Sequence, residues 1–235
     1  MSERAVRQRL QSLELAGVTC LPKTQRHAEE QTSSANIREQ AVASDNADQL
    51  LQVLRDDVAG CQKCPQLASS RTQTVFGAGS TNARLCFFGE APGADEDASG
   101  IPFVGRAGQL LTKIIEACTL SREEVYILNV LKCRPPENRR PQPEEVKNCR
   151  SFFEHQFEIV RPEFICCLGA SAAHALLETT DSIGSLRNKW FEYQGSRVMC
   201  TYHPSYLLRN PSAKRDVWED MKRLMEAMEI QLPAR

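Results

Sequence analysis

Four short runs between residues 84 and 201 are apolar at nearly every position rather than at alternate ones: Arg84–Gly89, Val125–Val130, Glu163–Leu168 and Arg197–Thr201. A strand covered on both faces reads this way, whereas a half-exposed strand alternates. Between the runs the period lengthens. Leu110, Leu111, Ile114 and Ile115 mark one face of a helix over Gly108–Cys118. Further helices are predicted over Glu144–Val160, opening after Pro143, over Ser171–Leu177, and over Ala213–Ile230 near the C-terminus. Upstream, Leu50, Leu51 and Leu54 mark a helix over Ala47–Val58, which stops at Gly60, a usual C-terminal punctuation. Trp190–Tyr193 reads as a further strand, compatible with a hairpin around Gln194-Gly195. Alternating strands and helices predict an α/β fold: a three-layer α-β-α sandwich around a mainly parallel central sheet of four strands. Residues 1–45 are polar and lack a useful period, so they are read as a disordered extension, and 46–235 as a single domain.

In a parallel sheet the loops that follow the strands gather at one rim, where α/β proteins bind ligands. The longest of these loops runs Gly89-Glu90-Ala91-Pro92-Gly93-Ala94-Asp95-Glu96-Asp97 and on through Ile101-Pro102-Phe103-Val104-Gly105-Arg106-Ala107-Gly108. Its glycines and prolines shape the backbone for close approach. The pattern is neither a dinucleotide fingerprint nor a Walker A loop, since no Gly-Lys-Ser/Thr occurs. The same rim collects Asn129 and His203, so Glu90, Glu96, Phe103, Asn129 and His203 are expected to meet although they are far apart in sequence.

Composition limits the possibilities. The 235 residues carry a formal net charge of -1, so any contact with nucleic acid needs a local basic face. Lys132, Arg134, Arg139 and Arg140, and then Arg209, Lys214 and Arg215, flank two of the rim loops and are candidates for phosphate contacts. No run is long enough for a membrane span and the N-terminus has no apolar signal core, so a cytoplasmic protein is expected.

Ten cysteines remain to be explained. Cys86, Cys166, Cys167 and Cys200 lie inside apolar runs and read as packing residues. Cys61-x-x-Cys64, Cys133 and Cys149 lie in polar, proline-marked surroundings and are the metal candidates. Four thiolates suit zinc or an iron–sulfur cluster. The fifteen residues between Cys133 and Cys149 fit a two-knuckle zinc site poorly, and Pro65 after Cys64 favours a cluster. Both metals stay open on spacing, as does His155 as a competing ligand.

Several blocks, in order, carry a resemblance. These are Gly89-Glu90-Ala91-Pro92-Gly93 with Glu96-Asp97, the Gly-x-Pro-Phe-Val-Gly-Arg-Ala-Gly-Gln-Leu-Leu stretch containing Phe103, Asn129-Val130-x-Lys132-Cys133-Arg134-Pro135-Pro136, and His203-Pro204-Ser205-Tyr206-Leu207-Leu208-Arg209. From about Val53 to the C-terminus the chain resembles the family 4, iron–sulfur uracil-DNA glycosylases. The resemblance implies removal of uracil from DNA in base-excision repair and a structural [4Fe–4S] cluster on Cys61, Cys64, Cys133 and Cys149. The implied partner is uracil-containing DNA, single- or double-stranded, with no membrane, and the chain is expected to act as a monomer. A related iron–sulfur branch that bonds covalently to abasic DNA carries a Lys-Arg-rich insertion ending in histidine, which is missing after Cys133 here. The other class of reading is a non-catalytic iron–sulfur module that binds DNA or senses damage.

A glycosylase must enclose a base taken out of the stack. Phe103 is expected to stack on it, although a core role is also open. Asn129 offers one amide oxygen and one NH2, matching the N3–H and O4 of uracil, a pattern that cytosine reverses. An N–H of His203 aimed at O2 would stabilise the departing uracil anion. Ala91 stands where the first glycosylase family has an Asp that orients water, so that role is expected to move to Glu96, assisted by Asn138, with Glu90 holding the loop through backbone N–H bonds. Gly93 replaces the Tyr that excludes the thymine methyl in that family. Substrate contacts are therefore expected from Phe103, Asn129, Glu90, Ala91, Gly93 and His203. Leu207 and Leu208 are candidates for a wedge in the DNA stack, or for simple packing.

Overall fold

The computed structural model describes residues 46–233, which belong to one compact unit. The expectation of a disordered extension over 1–45 lies outside the described residues. In chain order the strands are β1 (Ala78–Gly79), β2 (Leu85–Gly89), β3 (Tyr126–Asn129), β4 (Phe164–Leu168), β5 (Trp190–Tyr193) and β6 (Ser196–Thr201). The helices are α1 (residues 46–59), α2 (Pro65–Ser70), α3 (Ala94–Ser99), α4 (Arg106–Ala117), α5 (Pro143–Val160), α6 (Ala170–Leu177), α7 (Ile183–Leu186), α8 (Pro204–Arg209) and α9 (Lys214–Ala227). Two short 3₁₀ turns, Pro136–Asn138 and Pro211–Ala213, complete the set.

The sheet has six strands in the order β1-β3-β2-β4-β6-β5, not four. The central four, β3-β2-β4-β6, are mutually parallel as the apolar runs predict. An antiparallel strand closes each edge: β1 against β3, and β5 against β6. With two residues, β1 is too short to leave any periodic trace in the sequence.

Alternate strand residues feed two cores, which is why the runs are apolar throughout. Cys86, Phe88, Ile165 and Cys167 face one core with Leu51 and Leu54 of α1 and Phe153 and Phe157 of α5. Leu85, Phe87, Phe164 and Cys166 face the other with Leu111 and Ile115 of α4 and Met221 and Leu224 of α9. These are the two outer layers of the predicted sandwich.

Register decides what meets at the rim. Gly89 pairs with Asn129 and Leu168 pairs with Thr201, so all four parallel strands end at nearly the same height. The backbone continues the match: Val130 N–H donates to Gly89 O at 3.0 Å and Gly169 N–H to Thr201 O at 2.8 Å.

Candidate active site

The strand ends open on a cleft of about 830 Å³ lined by Glu90, Ala91, Gly93, Glu96, Phe103, Asn129, Asn138, Ser171 and His203, among others. At its floor sits Asn129, the last residue of β3 and only 2% exposed. Its Oδ1 is buried and has no hydrogen-bond partner among the described residues. An unpaired buried amide oxygen costs about 1–3 kcal/mol, which a ligand N–H in the cleft would offset. The Asn129 main-chain carbonyl accepts the buried ammonium of Lys132 at 2.9 Å.

Phe103 forms a wall beside it. Its backbone is left-handed, at φ 55°, and Arg122 holds it there by donating to Phe103 O at 3.1 Å and to Pro102 O at 2.7 Å. Gly89 permits the arrangement. A Cβ at position 89 would stand 2.5 Å from Phe103 Cζ and closer still to Asn129 Oδ1.

Across the cleft the His203 ring lies 5.6 Å from the Phe103 ring, tilted by 35°. His203 is the N-cap of α8, and its Nδ1 accepts the Ser205 backbone N–H at 3.1 Å. An accepting Nδ1 carries no proton, so in the neutral ring the proton sits on Nε2. Burial pushes the pKa of His203 down to about 4, with Arg209 acting in the same direction and Glu96 opposing. The ring is neutral at pH 7 and still a donor. Gly169, at φ 90°, is its neighbour: a Cβ there would stand 3.0 Å from His203 Cβ.

The two glutamates make different contacts from those expected. Glu96, at the third position of α3, accepts Gly93 N–H at 3.0 Å through Oε2 and both Val104 and Gly105 N–H at 2.9 Å through Oε1. It makes the backbone bonds expected of Glu90. Glu90 instead accepts the hydroxyl of Ser171, on the first turn of α6, through Oε2. Asn138 lines the cleft from a left-handed backbone, φ 54°, and its Oδ1 accepts Arg134 Nε at 2.8 Å. Ser171, Arg122 and Tyr202 were not singled out in the sequence. Ser171 lies three residues beyond the end of β4 at the same rim, and that placement was the available signal.

The basic candidates separate. Lys132 is 1% exposed and bonded inward, so it is removed from the phosphate contacts. Arg139 is paired with Glu145 at 2.6 Å, while Arg140, Arg209, Lys214 and Arg215 are exposed. Leu207 is core and Leu208 is 37% exposed, so only the second can reach DNA. One edge of the rim is braced from below: Asp220 of α9, fully buried, accepts Thr201 Oγ1 at 2.6 Å and Arg187 Nε at 2.8 Å.

Away from the cleft, α1, α2, the segment after β3 and α5 bring Cys61, Cys64, Cys133 and Cys149 to the border of one core. Among the described residues, no three His, Cys, Asp or Glu side chains are arranged to hold a metal ion. N–H donors nevertheless address three of the thiols. Arg71 Nη1 is 3.1 Å from Cys133 Sγ and Asn148 Nδ2 is 3.5 Å from Cys64 Sγ. Lys132 N–H faces Cys149. Burial raises the pKa of Cys133 and pushes that of Cys149 up to about 11, and these donors act against it. Donors aimed at sulfur fit a group bound through thiolates. His155 is exposed on α5 and outside this arrangement.

The model of the uracil DNA glycosylase superfamily matches residues 76–222, more than half of the chain. The chain belongs to that superfamily. It is 43% identical over 180 residues to the type-4 uracil-DNA glycosylase of Thermotoga maritima, covering 75% of this chain and 93% of that one. It is 41% identical to the type-4 enzyme of Archaeoglobus fulgidus, covering 72% and 89%. A type-5 uracil-DNA glycosylase of Pyrobaculum aerophilum is 31% identical, covering 64% of this chain and 80% of that one. No helix among the described residues is long and apolar enough to cross a membrane.

Proposed function

We propose that this superfamily member excises uracil from DNA, hydrolysing the N-glycosidic bond of a flipped-out nucleotide to leave an abasic site. The observation that carries the reading is the partnerless buried amide oxygen of Asn129 in the cleft that Phe103 and His203 also line. Oδ1 accepts uracil N3–H and Nδ2 donates to O4. Cytosine presents the opposite pattern and leaves both groups unpaired, a penalty that discriminates strongly. Phe103 stacks on the ring, while Ala91 and Gly93 bound it from the loop.

Bond cleavage leaves the electron pair on the base. The neutral His203 donates its Nε2–H to O2, where the anionic charge develops. The sugar becomes oxocarbenium-like, and water attacks C1′. Glu90, one of whose oxygens accepts the Ser171 hydroxyl, orients that water and takes its proton. Glu96 acts by fixing the loop that carries Gly93 and Phe103, and Asn138, which lines the same cleft, assists with the water. Exposed Arg140, Arg209, Lys214 and Arg215 supply phosphate contacts.

Cys61, Cys64, Cys133 and Cys149 would hold a [4Fe–4S] cluster, which supplies a structural tie between α1, the segment after β3 and α5. The reading includes a cytoplasmic monomer acting on single- or double-stranded DNA.

The test is base release from an oligonucleotide with one uracil, with thymine and cytosine controls. Uracil-dependent abasic sites, lost in Asn129→Asp and His203→Ala, are expected. DNA binding without base release would overturn the enzyme in favour of a binding module.

A further inference from the structure

Beside His203 the cleft rim carries a second aromatic assembly that the excision chemistry does not use. Tyr202 and Tyr206 stack with ring centroids 4.9 Å apart and an interplanar angle of 28°. The Arg187 guanidinium covers Tyr202 at 4.5 Å from its centroid. Arg187 is itself fixed by Asp220 at 2.8 Å and Asp216 at 3.4 Å. This leaves Tyr206 as the outermost ring, 38% exposed, although a tyrosine normally covers such a large apolar face.

The position of that ring is informative. Tyr206 belongs to the same short helix that His203 caps, and its N–H donates to His203 O at 2.8 Å. The ring lines the same cleft as Asn129 and Phe103. Exposed Arg209 follows it three residues on along the helix, so a cation adjoins the aromatic face. A rigid aromatic face with a neighbouring cation is what an unpaired nucleic-acid strand selects: the base stacks, the phosphate pairs, and any base sequence is accepted.

We propose that Tyr206, backed by Tyr202 and Arg187, is a stacking platform for the unpaired nucleobase adjoining the flipped nucleotide in single-stranded DNA. The proposal rests on the glycosylase reading and assigns the cleft a second base site. Tyr202 and Arg187 are positioning residues, since they act through Tyr206. In a duplex the neighbouring base stays stacked on its own helix, so the platform contributes less there.

The experiment uses the full chain and oligonucleotides carrying one uracil, with 2-aminopurine placed on its 5′ or 3′ side. Wild type and Tyr206→Phe are expected to quench the fluorophore at one of the two positions on binding, and Tyr206→Ala is not. On single-stranded substrate Tyr206→Ala is expected to raise KM about tenfold or more, with kcat retained and thermal unfolding unshifted. On duplex the rise is expected to be smaller. Unchanged KM and quenching in Tyr206→Ala would overturn the platform. Equal losses on both substrates, or equal losses in Tyr206→Phe and Tyr206→Ala, would also count against it, pointing to a general or a hydroxyl contact. Failure of the glycosylase reading looks different: wild type would release no uracil, while quenching on the intact oligonucleotide would still report the platform.

Discussion

Ser205 donates its backbone N–H to Nδ1 of His203 at 3.1 Å, and that one bond settles where the proton of the ring resides. A free histidine exchanges its proton between two nitrogens. Here one nitrogen is committed as an acceptor, so in the neutral ring Nε2 carries the proton.

This sets a pH prediction. The His203 pKa falls from 6.5 to about 4 on folding. Between those values the unfolded chain binds more protons than the native one, so stability rises with pH there. Its contribution is complete above the unfolded pKa and is lost as pH falls toward about 4. Nitrogen NMR is expected to find Nε2 protonated and Nδ1 bare from about pH 5.5 to 8, given the ordinary histidine pKa of about 6.5. A titration near pH 6.5 would refute the buried neutral ring. His203→Ala is expected to lower kcat by about 10²- to 10³-fold, as removal of an oxyanion donor does.

Glu90 and Glu96 are separable by comparing stability with rate. Glu96→Ala strands the N–H groups of Gly93, Val104 and Gly105, and is expected to destabilise by about 2 kcal/mol or more. Glu90→Gln keeps the fold, and its kcat is expected to fall by about 10²- to 10³-fold. Urea unfolding and single-turnover cleavage measured on both variants decide the assignment. A stable but inactive Glu96 variant beside an active Glu90 variant would reverse it.

Gly89→Ala tests the crowding at the floor. The added carbon would meet the Phe103 ring and the Asn129 amide at once. Overpacking of about 1–3 kcal/mol is expected, with uracil release reduced far more than the melting temperature suggests. A crystal structure of the variant would locate the displaced ring.

Loss of a thiolate should remove iron. Cys64→Ser and Cys133→Ser are expected to purify with less iron, weaker visible absorption and a lower melting temperature than wild type, since binding energy of this kind is folding energy. Equal iron content in all three proteins would exclude these residues as ligands.

How much was legible beforehand follows from what each element needs. Leu85-Cys86-Phe87-Phe88 announced its strand because both faces are buried. Helix α3 was read as loop because Ala94–Ser99 has no apolar stripe and is held by the Glu96 carboxylate. Asn129 and His203 could be placed at one rim because each lies at the carboxyl end of a strand in a parallel sheet. The directions of the Glu90 and Glu96 side chains could not, because spacing does not encode which oxygen meets which N–H. Ser171 matters only because α6 begins beside Glu90, a tertiary fact. Lys132 looked like a DNA contact among its basic neighbours, and only the fold turns it inward.

The Asp220 brace has a consequence for biosynthesis. Thr201 and Arg187 are anchored by a residue on α9, the last helix described. A chain emerging from the ribosome completes its four parallel strands first and receives this brace last. The wall bearing His203, Tyr202 and Tyr206 therefore lacks this support until α9 has been made. A chain cut before α9 keeps all six strands of the sheet but loses the anchor of Thr201 and Arg187.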